Sequence, residues 1–444
     1  MTNSKHAKPT PRTRTRETKK RASTGRSFDI TRRQFLIGAG VVGAVVAVGG
    51  GTYYVTESNK DTSGQTKLKV AQDQVIKIDD LELVDDISEF LKVEREITLD
   101  YNTLVHSNDS DMLSLLESTG EGSPLFHASA LSLASGNKSV LLSGPVTDKP
   151  RYDIFDFKTN SSGSVWVESN VFTGENIVYT CEINSDHSTN AKVAMTLGAD
   201  KKMPQIIACD DYAWIQTSPS EGNSGKEELW RIKFGESDSS AEKIMETRAF
   251  ATAPSWTKSG VVVTPRNEIT AASYDIRLLD ATSAQIKDIC SLQQSMKPQD
   301  VSWGNSGFSF SFQGSYEVGD GISQVGTYAQ TNIGNKLANE DNSSRDARNE
   351  NLSEQTWVSF NREPTCAPAW IGDYIAFKST SSVAIVDPKT KQYAAIKADD
   401  GADDYGVWLV SQGDSDRLVT IQNINYTPLS GEPIKECQLK VWVA

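Results

Sequence analysis

Three segments of this chain repeat one pattern, and that repetition limits its fold more than any other feature. APSWTKSGVVVT (253–264), DVSWGNSGFSFS (300–311) and APAWIGDYIAFKS (367–379) each place a tryptophan, a polar turn and an apolar run in the same order. Trp256 and Trp303 are 47 residues apart, whereas Trp303 and Trp370 are 67 apart. The longer interval holds the polar run GNKLANEDNSSRDARNENLSEQ, and removing about twenty residues restores the shorter spacing. SVWVES (164–169) and YAWIQT (212–217) fall in phase, with Val165, Ala213 and Val261 each 48 apart. A second element recurs in LLDATSAQIKDI (278–289) and IVDPKTKQYAAI (385–396), where Asp280 and Asp387 begin a turn whose backbone they can bond.

A period of 47–48 residues with three or four short strands predicts an all-β chain built as a β-propeller. One four-stranded sheet cannot cover both of its apolar faces, and stacking copies around an axis covers them and leaves only short edges. Residues 67–444 hold seven such units once the insert at 335–354 is set aside, and six or eight also fit. Trp256, Trp303 and Trp370 are expected to pack as wedges between neighbouring blades. Phe308-Ser309-Phe310-Ser311-Phe312 alternates as a half-buried strand does. The one expected helix is short, around 85–93 (DDISEFLKV). The last unit reads as compressed, since Val407 follows Ile375 by 32. The ring is expected to close by pairing an early strand, such as KLKVAQ (67–72), with CQLKVWVA (437–444). On this pattern the body resembles diverged propellers of the WD40-like and TolB-like kind, although no Gly-His…Trp-Asp signature recurs. The resemblance implies a binding or scaffolding platform more often than an enzyme.

The first 55 residues are different in kind. Residues 1–30 are rich in Pro, Thr, Ser, Lys and Arg, and read as a disordered basic tail. Residues 31–55 follow as TRRQFLIGAGVVGAVVAVGGGTYYV. Arg32, Arg33, Phe35 and Leu36 resemble the twin-arginine export signal, which implies passage through the twin-arginine translocase as a folded passenger. The 21 uncharged residues 35–55 would span about 30 Å as a helix, enough to stay in the cytoplasmic membrane as an anchor. Ala47-Val48-Gly49 is the nearest small-x-small triplet, so cleavage and secretion form the alternative. Residues 1–34 carry a net +9, which belongs inside and puts the C-terminal body outside. Residues 56–66 read as a linker and 67–444 as the propeller.

Residues 56–444 carry a net charge of −22, which repels phosphate backbones and argues against nucleic acid as a partner. The five cysteines, Cys181, Cys209, Cys290, Cys366 and Cys437, leave room for one or two disulfides in an exported body. His106 and His187 read as loop residues, and only His127 joins them in the body. No HExxH, G-x-S-x-G, Walker A or dinucleotide motif occurs, and no haem, iron–sulfur or flavin motif. Asp399, Asp400, Asp403 and Asp404 in ADDGADDYG are the one candidate metal set, for calcium, against the simpler reading of a solvated turn. Apart from calcium there, no cofactor is expected and no catalytic residue stands out. The chain therefore reads as an exported, membrane-tethered, non-catalytic binding module with an extracellular protein or glycan as partner. A propeller hydrolase or lyase acting on extracellular glycans is the alternative.

Overall fold

A computed structural model describes residues 75–120, 124–267, 273–292, 297–305, 307–312, 327–330, 357–359, 365–428 and 431–444. The expected tail, signal, linker and polar insert (335–354) lie outside the described residues.

Among the described residues the strands assemble into seven sheets, each built on an antiparallel meander of four strands; six follow sequence order, and the fifth and sixth carry extra strands paired in parallel at their edges. The first comprises Leu104–Ser107, Met112–Ser118, Phe126–Ser132 and Lys138–Leu142. The second comprises Asp153–Thr159, Gly163–Asn170, Glu175–Glu182 and Lys192–Leu197. The third runs Gln205–Cys209, Tyr212–Thr217, Glu227–Lys233, Glu242–Thr247, and the fourth Ser255–Thr257, Gly260–Val263, Asp275–Leu279, Ile286–Ser291. The fifth runs Pro298–Gly304, Gly307–Phe312, Thr327–Gln330, Trp357–Ser359, and the sixth Ala369–Ile371, Tyr374–Ser379, Ser382–Asp387, Gln392–Ile396. The seventh takes Trp408–Leu409, Leu418–Tyr426 and Ile434–Val443 from the C-terminus and Lys92–Asp100 from the N-terminal side.

Each boundary between neighbouring sheets holds its own apolar cluster, including the boundary between the seventh and the first, where Leu113, Leu115 and Leu131 meet Ile421, Leu439 and Val441. Seven boundaries filled in this way make a closed ring, a β-propeller. In the first four sheets the register between third and fourth strands shifts once, at Ala128/Ser129, Val178/Tyr179, Leu229/Trp230 and Leu278/Leu279. Such bulges add twist.

The ring closes between an early strand and the C-terminal one, as expected, but the early strand is not 67–72. The C-terminal strand pairs with Lys92–Asp100, Ile97 opposite Leu439 and Leu99 opposite Cys437, while 67–72 lie outside the described residues. Before that strand the chain crosses two other outer edges. Val75–Lys77 pairs in parallel with Trp357–Ser359 of the fifth sheet, and Glu82–Leu83 with Gln392–Tyr393 of the sixth. Burying Leu81 and Leu91 in the clusters beneath holds this strap down.

Several local expectations are corrected. The segment 85–93 is not a helix: Ile87–Glu89 makes one 3-10 turn, capped by Asp86 accepting from Ser88 N at 2.9 Å, and extended chain resumes at Lys92. Pairing with the C-terminal edge outweighs nine residues of weak helical periodicity. The last unit is not compressed, because its second strand begins at Leu418; Val407 precedes the first strand instead. Phe308, Ser309, Phe310 and Ser311 are all fully buried, since a second strand lies between two neighbouring sheets and neither face meets water. No disulfide joins the five cysteines, and Cys181, Cys209, Cys290 and Cys437 sit in four different sheets.

Candidate functional site

In an antiparallel meander the links between strands one and two and between three and four leave from one face of the ring. Links between strands two and three, and from each sheet to the next, leave from the other. The two faces of this propeller differ.

The first face is bridged at its axis. The link between Trp408–Leu409 and Leu418–Tyr426 runs inward from the seventh sheet, and Gly413–Asp414 pairs in parallel with Ala369–Trp370 of the sixth. Gly413 N donates to Pro368 O at 3.1 Å and Ser415 N to Trp370 O at 2.8 Å. Asp414 Oδ1 accepts from Asn305 N at 2.6 Å in the fifth sheet, and Ser255 Oγ of the fourth donates to Gln412 Oε1 at 3.0 Å. Lys258 pairs with Asp416. Arg417 returns to Glu94 on the closing strand at 2.7 Å and to Asp111 of the first sheet at 3.0 Å. One loop therefore touches the first, fourth, fifth and sixth sheets as well as its own.

The groups that resemble catalytic constellations are buried and committed. Ser164 Oγ lies 3.0 Å from His187 Nε2, and His187 Nδ1 donates to Ser185 O at 2.9 Å. That is nucleophile-to-base geometry. Ser164, however, is fully buried and also bonded to Thr159 Oγ1 at 2.8 Å, so no substrate carbonyl can reach it. His187 is no loop residue: it opens the helical turn His187–Asn190, is buried against Trp166, and burial holds its imidazole below the ordinary range. His106 likewise lies on a strand, where burial first and Lys158 second push it well below that range. Glu117 is fully buried and accepts from His127 Nε2 at 3.1 Å, Ser129 Oγ at 2.7 Å and Lys138 Nζ at 2.7 Å.

Other buried carboxylates tie down loops. Glu168 accepts from Val146 N at 2.6 Å, Thr147 N at 3.0 Å and the Trp166 indole at 3.0 Å. Glu227 accepts from Phe250 N at 2.6 Å, and Asp153 from Leu125 N at 2.6 Å. Burial raises all three carboxyls, and these N–H donors oppose the rise. A carboxylate accepting two backbone N–H bonds is needed as an anion and is poorly placed to give a proton to a leaving group.

The three repeated tryptophans lie in first strands and pack toward the preceding sheet. Trp256 joins Ile207 and Trp214, Trp303 joins Val262 and Ile276, and the Trp370 indole donates to Ser309 Oγ at 3.0 Å. Asp280 accepts from Ser283 N at 2.8 Å and Asp387 from Lys389 N at 2.8 Å, each within its own turn.

Of the four candidate calcium ligands, Asp399 is held by Lys440 at 2.9 Å and by Gln422, while Asp403 caps Tyr405 N at 3.0 Å and accepts from Asn423 Nδ2 at 3.2 Å. Asp400 and Asp404 share that link between the sixth and seventh sheets. Among the described residues no group of three or more His, Cys, Asp or Glu could hold a metal ion. Beside this turn lies a group that sequence reasoning missed. Lys378, 1% exposed, donates to Val407 O at 2.6 Å, Tyr405 O at 2.7 Å and Thr380 O at 3.0 Å. Its ammonium sits 4.7 Å from the Trp408 ring, and burial brings its pKa down to about 8. A lysine inside a strand run, YIAFKS, was the only signal.

Arg32, Arg33, Phe35 and Leu36 lie outside the described residues, and among the described residues no helix is long and apolar enough to cross a membrane.

No protein-family model matches the chain, and no curated protein sequence does either. Among solved structures, a prolyl endopeptidase is similar over 73% of this chain and 46% of its own, at 12% identity and a TM-score of 0.47. The β-propeller domain of the trilobed protease from Pyrococcus furiosus, described as having an open velcro topology, aligns over 75% of this chain and 97% of its own at 10% identity and 0.41. BamB from Moraxella catarrhalis aligns over 80% of this chain and all of its own, again at 10% identity, with 0.40. The chain spans about half the length of the peptidase. The architecture stands on the chain's own strand pairing and boundary clusters.

Proposed function

We propose that this chain is an exported, membrane-tethered, seven-bladed propeller, one blade per sheet, which acts as a non-catalytic binding module for an extracellular protein or glycan. The observation that carries the reading is the contrast between the faces. One is locked at its axis by 410–417, whereas the other carries the links between second and third strands and between successive sheets. Loops on a rigid ring are where such a platform meets its ligand. The burial of Ser164, His187 and Glu117 speaks against hydrolysis at those groups. Arg32-Arg33 before the uncharged run 35–55 supports export and retention in the cytoplasmic membrane.

The test is fractionation of cells expressing the whole chain, with an Arg32→Lys, Arg33→Lys double variant alongside. Full-length protein in the membrane fraction, with its body digested by protease added outside, is expected. The double variant should keep its body inside and protected. A soluble, shortened product would replace the tethered reading with a secreted one, and unchanged export of the variant would remove the translocase as partner. Release of reducing ends from extracellular glycans by the purified chain would overturn the non-catalytic assignment.

A further inference from the structure

The strap passes the outer edges of the fifth, sixth and seventh sheets in turn. Val75–Lys77 pairs in parallel with the fourth strand of the fifth sheet and Glu82–Leu83 with that of the sixth, and Lys92–Asp100 is itself the fourth strand of the seventh. At each step an apolar side chain of the strap enters the cluster between two sheets. Val75 joins the cluster of Cys290, Leu292 and Phe310 between the fourth and fifth sheets. Leu81 joins that of Val358 and Trp370 between the fifth and sixth, and Leu91 that of Ile396 and Leu409 between the sixth and seventh.

One step further back, the same path leads to the fourth sheet. Buried Val75 already shares its cluster with Cys290 of that sheet's outermost strand, Ile286–Ser291. Among the described residues the fourth sheet ends at this strand, with no further strand on its outer side. At the rim between the third and fourth sheets Ile244, Met245 and Ile286 are partly buried against the cluster of Trp214, Trp256 and Val261. The two strap strands begin at Val75 and Glu82, seven residues apart, and seven before Val75 stands Leu68. It lies in KLKVAQ (67–72), where Leu68 and Val70 fall on one side of an extended chain and Lys67 and Lys69 on the other. Four residues, 78–81, separate the strap strands, and four, 71–74, separate Val70 from Val75.

We propose that the outer edge of the fourth sheet is a docking surface for this chain's own residues 67–72, which add a parallel strand along Ile286–Ser291 and set Leu68 over Ile244, Met245 and Ile286. A strand edge leaves a row of N–H and C=O groups facing outward, and an extended segment of the same chain meets them at high effective concentration. The fifth and sixth sheets already take parallel strands on their outer edges. Lys67 and Lys69 then face away from the cluster, and charged side chains of this kind guard an edge against further pairing. On the tethered reading above, docking also fixes how the ring hangs. Only 56–66, at most about 40 Å when extended, then joins the membrane to the rim of the fourth sheet. That consequence rests on tethering; the docking itself does not.

The experiment is hydrogen exchange read by mass spectrometry on the detergent-solubilised full chain. Amides of 67–72 should exchange about tenfold or more slowly than those of 56–66, and the outward amides of 286–291 should be protected with them. A Leu68→Asp, Val70→Asp double variant should exchange about tenfold or more faster at both segments, while Lys192–Leu197, the outer strand of the second sheet, keeps its rate. A Lys67→Gln, Lys69→Gln variant should keep the protection. Exchange of 67–72 as fast as that of 56–66 overturns the docking without any variant, and so does an unchanged rate at 286–291 in the Asp variant. Protection at 286–291 that vanishes on dilution also overturns it, and assigns that edge to a second copy of the chain. Fractionation tests tethering separately: anchoring can fail without altering these rates, and lost protection leaves anchoring standing.

Discussion

Gly413 passes so close to Trp303 that a Cβ on it would lie 2.6 Å from the Trp303 carbonyl oxygen. The contact joins a link of the seventh sheet to the first strand of the fifth, across the ring axis. It also requires φ +65 at Gly413, a left-handed conformation open to glycine.

Gly413→Val should therefore lose both the contact and the conformation, destabilising the fold by about 2 kcal/mol or more. Gly222 serves as the comparison, with φ +83 and nothing within 4 Å of its notional Cβ. Gly222→Val should cost only the backbone strain, about 1 kcal/mol. Urea unfolding of the two variants measures the difference, and equal losses would mean that the axial loop does not seat against Trp303.

Lys378 holds three carbonyls of the turn between the sixth and seventh sheets. Lys378→Met keeps the stem and deletes the ammonium, which strands the Thr380, Tyr405 and Val407 oxygens in the interior. A loss of about 3 kcal/mol is expected from urea midpoints, the usual cost of buried groups left without partners. A variant as stable as the parent would show that the ammonium does not bind there.

Two imidazoles, His106 and His187, set an acid limit. Burial lowers His106 and His187 below 6.5 in the folded chain. Below pH 6.5 the unfolded chain takes up protons at these rings that the folded chain does not, so stability is lost as pH falls through that value. The urea midpoint should drop between pH 7.5 and 5.5, and a His106→Gln, His187→Gln double variant should show a flatter profile. An unchanged slope in that variant would assign the acid response elsewhere.

Five thiols outside any disulfide are expected in the native protein. Burial raises Cys181 to about 11 and Cys366 to about 12, which keeps both as unreactive thiols. Ellman's reagent should react slowly with the folded chain and count five thiols after denaturation without reductant. A count of three or one would reveal a disulfide.

Much of the architecture was legible in one dimension. Val165, Ala213 and Val261, in register at 48-residue spacing, all fall in second strands, and the repeated tryptophans all fall in first strands. Asp280 and Asp387 bond within their own turns because the partners are two or three residues away, a distance that sequence order alone sets. Closure of the ring was not legible. Across the closure Leu439 pairs with Ile97, and the segment that supplies it, KVEREITLD, is charged and largely exposed, so nothing local marks it as the strand that meets the C-terminus. The axial loop escaped for the same reason: SQGDSDR reads as an ordinary polar turn, and only the ring brings Trp303, Asn305 and Ser255 around it. Repetition and turn chemistry are short-range and written in residue order; closure and axial bridging are long-range, and packing alone decides them.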